Sequence, residues 1–122
     1  MKLADVRITY REGVVIAHVT GEIDRSNTAV LRTAITDGTP NEARGVVLDL
    51  SATDYVDSAG IHLLYRLGES LRNRGQTLRV VIPPDSPAAD ALRLAGVTRH
   101  VDVVPEVDEG LRAIAAVATG DV

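Results

Sequence analysis

Polar and apolar positions alternate at the start of the chain, where Val6, Ile8 and Tyr10 are spaced at the period of a half-buried strand. A second apolar run covers residues 14–19, and Arg11-Glu12-Gly13 between the two predicts a hairpin with Gly13 in the turn. Gly21-Glu22-Ile23-Asp24 closes that strand. Ser26 or Asp24 is expected to cap a helix carrying Val30, Leu31, Ala34 and Ile35, ended by Gly38 and Pro40. The unbroken run Val46-Val47-Leu48, leading into Asp49 and Leu50, is the pattern of an interior strand covered on both faces. Ser51 to Asp54 is expected to be loop. Tyr55 and Val56 anchor it before an Asp57-Ser58 cap, and Leu64, Leu67 and Leu71 continue at helical spacing toward a stop at Gly75.

The remainder alternates strand and helix. Residues 78–82 form a buried strand stopped by Pro83-Pro84, and Ser86 with Pro87 starts a short helix through Leu92 and Leu94, ended by Gly96. Residues 101–104 give a weak edge strand. Asp108 is expected to cap a last helix presenting Leu111, Ile114, Ala115 and Ala118, with Gly120 just past it. The order predicts an α/β fold: a mixed sheet of about four to five strands, N-terminal hairpin plus parallel strands, covered by about four helices. With no linker or repeat, one domain is expected over residues 1–122, ordered over about 4–118, with Thr119 to Val122 fraying.

Composition removes several kinds of chemistry. Without Phe or Trp, and with only three Tyr, the core is aliphatic and no base-stacking surface is expected. Without Cys there are no disulfides or thiolate ligands, and three scattered His give no metal site. The net charge of -4 with dispersed basic residues argues against nucleic acid. No stretch approaches the length of a bilayer crossing, so a cytoplasmic protein that binds another protein, without cofactor or membrane, is the expectation.

Two motifs carry a resemblance. Asp49-Leu50-Ser51 is followed by Tyr55-Val56-Asp57-Ser58-Ala59-Gly60-Ile61, and Gly21-Glu22-Ile23-Asp24 stands earlier. Together they resemble the anti-sigma factor antagonists of the STAS domain family over nearly the whole chain. The resemblance implies Ser58 as phosphoacceptor for an anti-sigma factor with serine kinase activity, and a serine/threonine phosphatase that restores it. It also implies a partner-binding surface of Asp24, Asp57, Ser58, Ala59, Gly60 and His62. Two residues depart from the family pattern: Ala59 replaces a second hydroxyl, and His62 stands where Gly is frequent.

Plainer roles exist for the same residues. Ser58 alone would serve as an N-cap, Asp57 as a second cap, Asp49 as a strand end, Asp24 as a helix start, and Gly21 and Gly60 as backbone-shaping residues. Arg66, Arg72 and Arg74 fit solvated positions late in a helix, and His18 and His100 have no motif around them. A hydrolase built on Ser58, His62 and Asp24 or Asp57 lacks the Gly that a nucleophile elbow requires before its Ser, since Val56 stands there. A receiver acting through Asp49 or Asp54 lacks an acidic pair after its first strand. A STAS-type scaffold without a kinase cycle is the remaining alternative.

Overall fold

The computed structural model describes the backbone of residues 4–120 and the side chains of 4–117. The hairpin forms as expected: β1 (Asp5–Arg11) pairs antiparallel with β2 (Val14–Ile23), and Glu12 and Gly13 at the turn both take positive φ. That pair of left-handed residues is what a two-residue turn matched to strand twist needs. Helix α1 (Thr28–Asp37), strand β3 (Gly45–Asp49), strand β4 (Thr53–Val56) and helix α2 (Ser58–Asn73) follow. Then come β5 (Thr77–Val81), α3 (Ala89–Leu94), a 3-10 turn at Val97–Arg99, β6 (Val103–Val104) and α4 (Val107–Gly120).

The main sheet runs β1-β2-β3-β5-β6, with every pair after the hairpin parallel. β2 is its spine. Its first part pairs with β3, and beyond a register shift at Gly21 and Glu22 its end pairs with β4. β3 is buried throughout, as its apolar run requires. Alternate residues divide two cores. Val15, Ala17, Val19, Val46, Leu48 and Val80 face α1, α2 and α3, whereas Val14, Ile16, Val47 and Val81 face α4 and its Ile114. Leu64, Leu67 and Leu71 of α2 are fully buried in the first core, each contributing about 1.5–3 kcal/mol by area.

Among the described residues the sheet has six strands, against the expected four to five. The extra one is β4, from a segment whose first two residues, Thr53 and Asp54, read as loop. Tertiary pairing with β2 overrides its weak pattern, and Thr53, fully buried, donates its hydroxyl to Val19 O (2.9 Å). Helix α1 begins later than Asp24 or Ser26 because both are consumed by the preceding turn, and Asn27 holds the cap position without a side-chain cap bond. α3 begins at Ala89, since Pro83 to Ser86 closes a turn of its own through Ser86 N–H to Pro83 O (3.0 Å). α4 includes Gly120. The side chain of Ala118 and the end of the expected frayed tail, residues 121–122, lie outside the described residues.

Candidate functional site

The first turn of α2 is built by Asp57. Its backbone is extended (φ -91°, ψ -173°), and Gly60 N–H donates to its Oδ1 at 3.0 Å, a side-chain N-cap. Its Oδ2 accepts from Arg25 N–H at 3.3 Å, and its own N–H donates to Ile23 O at 3.1 Å. One residue thus ties the helix start to the loop after β2. Ser58 is the first helical residue and not the cap. It is exposed, and its hydroxyl makes no hydrogen bond among the described residues.

The close seat of this turn requires Gly60. A Cβ there would stand 2.5 Å from Val56 Cγ1 and 3.0 Å from Ile23 Cγ2, so only a missing side chain lets α2 approach the paired ends of β2 and β4. Gly60 is accordingly buried beneath the surface that Ser58 presents.

Asp24 lies half-buried in the neighbouring loop. Its Oδ1 accepts from Ser26 N–H at 2.9 Å and from the Ser26 hydroxyl, while its own N–H donates to Asn27 Oδ1 at 3.0 Å. Asn27 also donates through Nδ2 to Glu22 O at 2.8 Å, which fixes the loop from both ends. Ala59 and His62, with Leu63 and Arg66 of α2 and Thr28, Ala29 and Arg32 of α1, line an open cleft of about 210 Å³ between the two helices. The structure therefore gathers Asp24, Asp57, Ser58, Ala59 and Gly60 around one helix end, with exposed His62 one turn further on. No hydrogen bond joins Ser58 to His62, and the carboxylates of Asp24 and Asp57 are bonded to loop and helix backbone groups, so a nucleophile–base–acid chain is not assembled here.

Sequence reasoning missed one polar pair. His18 and Asp49 occupy partner positions on β2 and β3, and His18 Nδ1 donates to Asp49 Oδ2 at 2.8 Å. Burial pushes the Asp49 carboxyl up, but the Ser51 side chain and N–H and the His18 ring together outweigh it and hold the group below its ordinary value. Asp49 is thus more than a strand end. Arg74 is exposed, as expected, and also donates to Thr39 O and Asn41 Oδ1, both at 2.9 Å, tying the end of α2 to the loop after α1. Among the described residues no three His, Asp or Glu side chains are grouped to hold a metal, and no helix is long and apolar enough to cross a membrane.

A family model described as the STAS domain matches residues 5–110. An anti-sigma factor antagonist from Mycobacterium paratuberculosis is similar in structure at 26% identity, with 93% of this chain and 95% of that one covered and a TM-score of 0.81. A sulfate transporter family protein from Wolinella succinogenes superposes at 19% identity, covering 90% and 91% of the two chains, with a TM-score of 0.72. The anti-sigma factor antagonist SpoIIAA in its unphosphorylated form does so at 13% identity, covering 92% and 97%, with a TM-score of 0.68. No curated protein matches the chain.

Proposed function

The chain belongs to the STAS domain family, and from that premise we propose that it is a cytoplasmic anti-sigma factor antagonist switched at Ser58. In this reading the unmodified protein binds and sequesters an anti-sigma factor with serine kinase activity, freeing a sigma factor. Phosphorylation of Ser58 releases the complex, and a serine/threonine phosphatase resets it. The observation that carries the reading is the exposed alcohol of Ser58 on the first residue of α2, without a hydrogen bond among the described residues and the only hydroxyl between Asp57 and Ile61. Asp24, Asp57, Ala59, Gly60 and His62 form or support the surface the partner covers.

The energetics suit a switch. A phosphate adds about -1.5 to -2 charge, and the amide ends and dipole of a helix start tolerate it within the free domain. Within a dehydrated interface the same charge is stranded, at roughly 3–5 kcal/mol. Moving a complex from nanomolar to micromolar requires about 4 kcal/mol, so one ester suffices without refolding.

The test is incubation with the cognate anti-sigma kinase and ATP, read by mass spectrometry and by the affinity of the recovered phosphoprotein. A single phosphate on Ser58 with loss of binding is expected. No increment on Ser58, with binding retained, would replace the switch by a constitutive STAS scaffold.

A further inference from the structure

The cleft between α1 and α2 carries a charge opposite to that of the chain as a whole. Acidic residues exceed basic ones by 17 to 13, yet no carboxylate lines this cleft. Its walls carry Arg32 from α1 and Arg66 and His62 from α2, over an apolar floor of Ala59 and buried Leu63. Neither Arg32 nor Arg66 forms an ion pair among the described residues. Exposed arginines elsewhere are also without an ion pair among the described residues, Arg25 and Arg112 among them, but here two of them share one cleft. Asp24 and Asp57, the carboxylates of the site, accept from backbone N–H groups and do not line the cleft.

We infer that this cleft is the docking groove for an acidic amphipathic helix of the protein partner, its apolar side chain seated on Leu63 and Ala59 and its carboxylates meeting Arg32 and Arg66. Two arginines, one from each wall of an open cleft floored by Ala59 and Leu63, match such a helix in charge. The inference rests on the proposed function only for the partner's identity, and it deepens the switch. Ala59 lines the cleft and Ser58 precedes it, so a phosphate on Ser58 would set negative charge at the mouth of a groove that recognises negative charge. The phosphate then both repels the acidic helix and competes with it for the cations.

The test needs no kinase. A labelled synthetic helical peptide with Leu and Glu on one face, and its Gln-for-Glu counterpart, are titrated against the full chain at low and high salt, with amide shifts mapped by NMR. The expected result is shifts on α1 and α2 and binding of the Glu peptide roughly tenfold tighter than the Gln peptide at low salt, narrowing as salt rises. Arg32→Glu and Arg66→Glu, and the milder Arg→Gln changes, should each weaken the Glu peptide severalfold with unchanged circular dichroism. Arg112→Glu on α4, across the sheet, should not. Equal binding of the two peptides, no binding, shifts confined to other elements, or tighter capture of a single-stranded oligonucleotide would overturn the groove. Protein prepared with phosphoserine at position 58 separates the two proposals: equal peptide affinity with and without the phosphate keeps the groove and removes Ser58 as its switch.

Discussion

Replacing Asp57 by Ala removes the acceptor for Gly60 N–H and is expected to cost about 0.5–2 kcal/mol, read by urea denaturation. Ser58→Ala should change stability by no more than about 0.5 kcal/mol, because the hydroxyl is exposed and makes no hydrogen bond among the described residues. The contrast separates two neighbours that the sequence leaves interchangeable as caps, and a large loss at Ser58 would return it to a structural role. A second residue-scale test concerns Asp49. Its folded-state pKa lies below the ordinary value, so its stabilisation is present above the unfolded pKa and is lost as pH falls through the folded one. Asp49→Asn should therefore flatten the acid limb of a melting-temperature profile below about pH 4 while leaving the slope near neutrality alone. His18 gave no hint of this partnership in the sequence, because the two residues are 31 apart and meet only when β2 and β3 align.

At the scale of elements, β4 is the part that local pattern could not disclose. Of its four residues, Asp54 and Tyr55 are exposed and only Thr53 and Val56 are buried, which is no alternation at all. Its identity comes from the overhanging end of β2. Thr53→Val keeps the shape but leaves Val19 O without its donor, and is expected to cost about 1–3 kcal/mol, with faster amide exchange along residues 53–56 than elsewhere in the sheet. Uniform exchange in that variant would mean β4 is held by other contacts. By contrast β3, the body of α2 and the hairpin were legible, since each carries a strong period or an unbroken apolar run that burial then enforces. The starts of α1 and α3 were misplaced for different reasons. Asp24 and Ser26 are good capping residues, but the turn before α1 claims their side chains, whereas Ser86 sits in a turn closed by its own N–H to Pro83 O and its hydroxyl caps nothing among the described residues.

For the molecule as a whole, the two cores separate duties. One sheet face and α4 form a support, while α1, α2 and the ends of β2 and β4 present the candidate surface. Phosphorylated protein is accordingly expected to keep its fold, with denaturation shifted by no more than about 1 kcal/mol, while its complex weakens by about 4 kcal/mol; paired urea melts and calorimetric titrations check both. A large loss of stability would make the ester a refolding signal and not an interface signal. Asp57 also grips two stretches 32 residues apart in the chain, the front of α2 and the backbone of Arg25, as if on one handle. A single residue inserted between Ile23 and Asn27 should therefore twist that handle and, if the proposed switch operates, carry the alcohol out of the proposed kinase's reach. A genetic screen for signalling-dead insertions should then strike this bend while every letter from Asp57 to Ile61 stays intact.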